Sequence, residues 1–345
     1  MNVTTIGIDL AKNIFQVHGV NEHGKTVLKK QLKRHQMVAF FANLPPCVIG
    51  MEACASAHFW ARKLQALGHT VRLMAPQFVK PYVKTNKNDV ADAEAICEAV
   101  SRPNMRFVPI KNADQQAVLA LHRARQGFVR ARTAQANQIR GLLGEFGLVI
   151  PQGISSITQM VHELIEDADH ELPGSFRLLI QRLTDHLKEL DRQVEELETQ
   201  IKAWHHANDA SRRLAAIPGI GPITASALVA SIGDARSFSN ARQLAAWLGL
   251  VPRQHSSGGK PTLLGITKRG DTYLRTLMVH GARAVVRYCV NKDDAFSGWL
   301  QRLLTRRHKN VAVVAVANRN ARIAWALLTQ GTAFRSDYAP STNAE

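Results

Sequence analysis

Strand-forming and helix-forming segments follow one another in a set order at the start of this chain, and that order narrows the possible folds more than any other feature. Thr5 to Ile8, Phe15 to Val20 and Thr26 to Leu32 are rich in strand formers, with turn formers at Lys12-Asn13 and Asn21 to Gly24 between them. A helical stretch near Gln36 to Asn43, a strand from Cys47 to Met51, a helix near Ala57 to Leu67 and a strand from Thr70 to Met74 complete the order βββαβαβ. An α/β domain built on one sheet is the expectation.

That order is the one used by RNase H-like domains, and four acids fall at telling places in it. Asp9 ends the first strand and Glu52 the fourth. The run Asn86-Lys87-Asn88-Asp89 reads as a helix start leading into Val90 to Val100, so Asp89 and Asp92, three apart, share one helical face. Gathered at one edge of a sheet, the four can bind two hard cations. Mg²⁺ suits carboxylate and phosphate oxygens, and a metal pair stabilises both attacking and leaving oxygens in phosphoryl transfer. Taken singly, each acid has a plainer reading: a turn residue at Asp9, a helix N-terminal charge at Asp89, solvated surface groups at Glu52 and Asp92.

The rest of the chain is basic. Lys and Arg total 44 against 27 acids, a formal net charge of +17 spread over every segment, which points to a polyanionic partner or, less specifically, to a basic surface at a membrane or in solvent. With 345 residues and 46% hydrophobic content, disordered and disulfide-stapled classes are disfavoured. Cys47, Cys54, Cys97 and Cys289 lack metal-ligand spacing and sit in apolar surroundings suited to reduced core thiols. There is no signal-peptide pattern at the N-terminus and no uninterrupted apolar run that would span a bilayer, so a cytoplasmic protein without a membrane partner is expected.

Two long helices follow. Between Asp114 and Phe146, Arg123, Arg125, Arg130, Arg132 and Arg140 interleave with Leu119, Phe128, Ile139 and Leu142, a pattern that serves either as a solvated amphipathic face or as a track for a nucleic-acid backbone. Locally uncompensated arginines favour the track. From Phe176 through Ile180, Leu183, Leu187, Leu190, Val194, Leu197 and Ile201 to Trp204, spacings of four and three make a heptad seam that needs a partner helix, with another subunit slightly preferred over the same chain. Pro151-Gln152-Gly153 and Leu172-Pro173-Gly174 are breaks in this region. The resulting domains are residues 1–105 (α/β), 106–210 (basic helix and coiled coil), 211–331 (mainly helical) and a frayed tail, 332–345.

Within the third segment, Ile217-Pro218-Gly219-Ile220-Gly221-Pro222 precedes the small-residue helix from Thr224 and reads as a helix-hairpin-helix turn. Gly219 and Gly221 there either admit a phosphate or simply make a tight interhelical turn. Two basic glycine-containing loops come next, around His255-Ser256-Ser257-Gly258-Gly259-Lys260 and Gly265 to Gly270, with Lys268 and Arg269. Lys260 is not a P-loop lysine, since Pro261 follows it, and ATP use has no support. A serine here can attack a phosphodiester if its proton is removed and cations neutralise the developing charge; spacing alone favours a solvated loop. Arg302, Arg306, Arg307, His308, Lys309, Arg319 and Arg322 add a further basic surface.

Gly7-Ile8-Asp9-Leu10-Ala11-Lys12, Met51-Glu52-Ala53, Asn86 through Ala93, Ile217 through Gly221, and Leu250-Val251-Pro252 through Ser256-Ser257-Gly258 together closely resemble the insertion-sequence 110 family transposases, in the right order over nearly the whole chain. The resemblance implies a RuvC-like DEDD domain with its tetrad at Asp9, Glu52, Asp89 and Asp92, Mg²⁺ dependence, and a nucleophilic serine at Ser257, with Ser256 the nearest alternative. It also implies an element-encoded noncoding guide RNA that pairs with donor and target DNA, and a dimer of dimers whose active sites combine the tetrad of one subunit with the serine of another. The expected activity is DNA recombination through a covalent phosphoserine. The competing readings are a hydrolytic junction-resolving nuclease, in which the serine loop only grips DNA, and a noncatalytic RNA-binding scaffold.

Overall fold

The computed structural model describes residues 2–84, 88–289, 292 and 294–335. They form two compact units, Met1–Ala113 and Asp114–Glu345. The first holds strands β1 (Thr5–Leu10), β2 (Ile14–Val20), β3 (Thr26–Lys33), β4 (Val48–Glu52), β5 (Thr70–Met74) and β6 (Phe107–Val108), with helices α1 (Met37–Ala42), α2 (Ala57–Ala66), α3 (Pro76–Val79) and α4 (Asp89–Val100). Among the described residues the sheet order is β3-β2-β1-β4-β5-β6, with β1, β4 and β5 parallel and the others antiparallel to their neighbours. The mixed sheet is consistent with the RNase H-like expectation. The two-residue β6 is too short to show as a sequence pattern and was not anticipated.

Alternation decides which residues face which layer. Ile6 and Ile8 are fully buried on one side of β1, packed with Phe15, Val17, Ile49, Met51 and the α1 and α2 side chains Phe41, Trp60 and Leu64. Gly7 and Asp9 face the other side, where α4 lies. A Cβ on Gly7 would stand 2.3 Å from both the Ala93 oxygen and the Cys97 nitrogen, and one on Gly50 would stand 2.7 Å from Val100 Cβ. Glycine at these two strand positions lets the helix rest directly on the sheet.

The second unit contains α5 (Ala113–Gly144, whose first residue belongs to the preceding unit), α6 (Ile154–Glu166), α7 (Gly174–Ala207), α8 (Asp209–Ala215), α9 (Pro222–Ile232), α10 (Ala241–Trp247), a hairpin of β7 (Pro252–Ser257) and β8 (Lys260–Ile266), then α11 (Thr272–Tyr288), α12 (Ala295–Leu304) and α13 (Lys309–Gln330). The α7 seam is covered within the chain: Ile180 and Leu187 pack with Ala136, Ile139 and Leu143 of α5 and with Ile157, Val161 and Ile165 of α6. The preference for an intermolecular partner is therefore corrected. Helix α6 supplies the missing face, and its own amphipathic run lay hidden between the two proline-glycine breaks.

Helices α8 to α13 share a second core that includes Leu228, Leu248, Leu274, Met278, Leu300, Val316 and Ala317. Helix α13 is, among the described residues, the one helix long and apolar enough by length and composition to cross a membrane. Its Ala312, Val316, Ala317, Ala321 and Ala324 are buried in this core, and Arg319 and Arg322 interrupt it, which is how a core helix reads. Of the anticipated tail, residues 336–345 lie outside the described residues.

Candidate active site

The acids are brought together by arithmetic along two elements. Moving from Gly7 to Asp9 covers about 6.7 Å of strand, the rise of four to five helical residues. With Ala93 and Cys97 seated over Gly7, the first turn of α4 arrives over Asp9. That turn is fixed by Asn88, whose side chain accepts from the Ala91 amide at 2.8 Å as an N-cap, with Asp89 and Asp92 both in the first turn. Asn86 and Lys87 lie outside the described residues. One carboxylate oxygen from each of Asp9, Asp89 and Asp92 falls within 4.8 Å of the others.

Glu52 comes from the neighbouring strand. Ile8 is paired in parallel with Met51, so the next residues, Asp9 near the end of β1 and Glu52 at the end of β4, lie on adjacent strands, roughly 4.8 Å apart in the strand-to-strand direction. Glu52 is outside the three-acid group but on its border. Cys54, two residues beyond Glu52, feels both acids: partial desolvation first, then the negative fields of Glu52 and Asp9, push its thiol up from the usual range. Cys54 is exposed, unlike buried Cys47, Cys97 and Cys289, which corrects its assignment as a core thiol.

The donor set fits a hard divalent cation. Opposite oxygens around octahedral Mg²⁺ are about 4.2 Å apart, so small side-chain rotations would bring the three carboxylates to one ion. All three ligands are oxygens, which favours Mg²⁺ or a similar cation over zinc.

Ser257 sits on the β7–β8 hairpin, whose strand residues are exposed from Pro252 to Gly265. The first anticipated loop is in fact the end of a ribbon, closed by Gly258 (φ 57°) and Gly259 (φ 75°), the two left-handed residues that a tight turn of this hand demands, while the second stays irregular from Thr267 to Gly270. Register divides the two serines. Ser257 pairs with Lys260 and His255 with Thr262 on one face, while Ser256 pairs with Pro261 and Gln254 with Leu263 on the other. The Gln254 side-chain amide donates to Ser256 Oγ at 2.7 Å. Lys268, in the left-handed region at φ 53°, and exposed Arg269 follow the ribbon.

The arginines of α5 divide as well. Arg125 binds Glu198 of α7 through Nε (2.9 Å) and Nη2 (2.5 Å), and Arg132 Nη1 binds Asp191 at 2.7 Å. Arg140 donates to the carbonyls of Pro151 and Gly153. The charges of Arg125 and Arg132 are thus balanced from a distant helix, which a local reading of α5 could not register. Arg123 and Arg130 are exposed and make no ion pair among the described residues. In the turn before α9, Gly219 (φ 87°) is packed against Gly281 of α11, where an added Cβ would lie 2.8 Å from the Gly281 oxygen. Gly221 has open space around it. Close backbone packing thus accounts for Gly219.

Comparison with known proteins agrees with this architecture. A DEDD-type IS110 transposase family model matches residues 6–147, and the model described as "Transposase IS116/IS110/IS902 family" matches residues 211–297. A "Probable family 20 transposase" of Pseudomonas aeruginosa is 57% identical over 97% of this chain and 99% of its own length, and the transposase for insertion sequence element IS1328 of Yersinia enterocolitica is 48% identical over 96% and 99%. More distant is a pilin gene-inverting protein of Moraxella bovis, 25% identical over 97% of this chain and 98% of its own. The chain belongs to the IS110 family of transposases, DNA-cutting and DNA-rejoining enzymes.

Proposed function

We propose that this transposase recombines DNA through a covalent phosphoserine at Ser257, on phosphates held at Asp9, Glu52, Asp89 and Asp92 with Mg²⁺, and that a noncoding RNA from its element guides it to donor and target DNA. The observation that carries the reading is the convergence of Asp9, Asp89 and Asp92 at the ends of β1 and α4. Bound Mg²⁺ would supply charge neutralisation at the scissile phosphate and its leaving oxygen. The chain's own part is to hold the carboxylates in register, β1 and β4 presenting Asp9 and Glu52 and the capped turn of α4 presenting the other two.

Ser257 is favoured over Ser256 because its face of the ribbon carries Lys260 directly opposite, a cation placed to balance charge on a phosphate, whereas Ser256 Oγ is engaged by Gln254. Forming a serine–phosphate bond while a deoxyribose oxygen leaves conserves the phosphodiester's energy, in keeping with the lack of an ATP motif. The name of the Moraxella relative, a gene-inverting protein, supports rejoining over hydrolysis, since an inverted segment must have its ends rejoined as well as cut.

In the second unit we assign nucleic-acid contact first to Arg123, Arg130, Lys260, Lys268 and Arg269, then to Gly221. Arg125, Arg132, Arg140 and Gly219 contribute by shaping the helices that carry such a surface. The helix-hairpin-helix role of the turn before α9, the coiled-coil role of α7, the division of the chain at residues 105, 210 and 331, and assembly as dimers and tetramers belong to the same proposal. The decisive experiment traps protein–DNA adducts with and without Ser257→Ala. An adduct in the parent and none in the variant supports recombination, and strand exchange that survives the substitution without an adduct overturns it.

A further inference from the structure

We infer that the β3 edge of the N-terminal sheet is a binding rail for the DNA strand that enters the acid centre, with Lys29 and Lys33 gripping its phosphates and Gln16 and Gln31 positioning it beside Asp9. The inference rests on the reading of the acids as the cutting centre. Register supplies the argument. Asp9 pairs with Gln16, and Gln16 with Gln31, so these three side chains form one row across β1, β2 and β3 on the face where α4 lies. Along β3 the same face carries Lys29, opposite His18, and Lys33, opposite Ile14. Lys29, Gln31 and Lys33 are all exposed, and Gln16 is half-buried.

A cleft of about 580 Å³ opens along this row, lined by Gln16 and Gln31 on the sheet and by Asn88, Asp89, Val90, Ala91 and Glu94 on α4. Its two walls differ in charge. The helix side is acidic at Asp89 and Glu94, and would repel a polyanion wherever no cation stood between them; the β3 side supplies fixed positive charge. Neither lysine makes an ion pair, and neither glutamine amide makes a side-chain hydrogen bond, among the described residues. Unpaired lysines flanking amides that can both donate and accept are suited to a sugar-phosphate backbone and carry no base preference. Because the row is continuous with Asp9, the strand it holds is the one being cut, which commits the rail to DNA and not to guide RNA.

Lysines on an edge strand also deter sheet-to-sheet aggregation, whichever face they occupy. Lys30 separates the two explanations, since it lies on the same strand but on the opposite face, over the Phe40 ring at 4.9 Å. The test measures binding of a single-stranded donor-end DNA and an RNA of equal length to the full chain carrying Asp9→Asn, over a range of salt. Adding Lys29→Gln and Lys33→Gln is expected to weaken DNA binding roughly tenfold and to lower the salt slope by about 1.4, while Lys30→Gln leaves both unchanged. A photocrosslinking residue at Gln16 should label DNA next to the cut. Equal effects at Lys30, unchanged DNA affinity, loss confined to RNA, or a crosslink absent from DNA overturns the rail. If Asp9→Asn leaves cutting as fast as in the parent, the acid-centre reading fails separately, and that outcome is seen in cutting assays, not in binding.

Discussion

Gly7 touches Ala93: the strand glycine has no side chain because the helix backbone occupies that place, at 2.3 Å from where a Cβ would be. Since Asp9 is two residues further along and Asp89 one helical turn back, this contact sets the geometry of the carboxylates. Gly7→Ala should push α4 outward, costing about 1 to 3 kcal/mol or more in stability and weakening Mg²⁺ binding measured calorimetrically. Gly127→Ala, a helical position with open space around it, should instead stabilise by about 0.5 to 1 kcal/mol. Equal effects of the two would contradict the contact.

Asp92→Asn should reduce Mg²⁺-dependent DNA cutting more than roughly 100-fold, beyond the range typical of residues that only support a metal ligand. The same loss is expected for Asp9→Asn. Raising Mg²⁺ should restore part of it, and activity indifferent to both substitutions would argue for a scaffold.

The two serines should separate cleanly. Ser257→Ala abolishes the covalent adduct, whereas Ser256→Ala, which loses only the hydrogen bond from Gln254, stays within a few tenths of a kcal/mol in stability, on the order of an exposed substitution, and keeps the adduct. Mass spectrometry of the trapped peptide identifies the modified residue.

His122 gives a pH signature in the second unit. Its Nδ1 lies 3.0 Å from Tyr273 Oη and its Nε2 3.1 Å from Ser226 Oγ, and Ser226 donates to the Pro222 carbonyl, so Nε2–H donates to the serine and Nδ1 accepts from the tyrosine. Burial, then the charge of Arg125, lowers its pKa from 6.5 to about 4. Between those values the unfolded chain takes up a proton that the folded chain excludes. Stability from this group is complete above about pH 6.5 and falls as pH is lowered toward 4, by up to about 3 kcal/mol. Urea midpoints across that range should show the decline, and His122→Gln should flatten it.

Leu187→Ala tests the covered seam. Loss of a fully buried leucine between three helices of one chain should cost about 2 to 5 kcal/mol without changing the mass of the particle in solution. A change of oligomeric state with stability intact would return the seam to an intersubunit role.

The N-terminal unit was legible because alternation and turn residues act locally: every strand from β1 to β5 and all three acid-bearing elements follow from neighbours in sequence. The grouping of Asp9, Asp89 and Asp92 was legible too, since Asp9 lies near the end of an apolar strand and Asn88 announces a helix. What the sequence hid was long-range. The partners of Arg125 and Arg132 lie 73 and 59 residues away, the cover for the α7 seam comes from α5 and α6, and Gly281 explains Gly219 only once α11 is folded against it. The ribbon was missed because serine, glycine and lysine read as loop, although two consecutive glycines between short runs are the signal of a two-residue hairpin.

The exposure of that ribbon has a consequence for timing. A two-stranded hairpin with no layer over it is at best marginally stable alone, so the orientation of Ser257 is acquired from whatever surface the ribbon lies against. If Ser257 is the nucleophile, a solitary copy of the protein carries it idle. On the proposed mechanism, cutting is expected to wait until DNA or a second copy of the protein supplies that support.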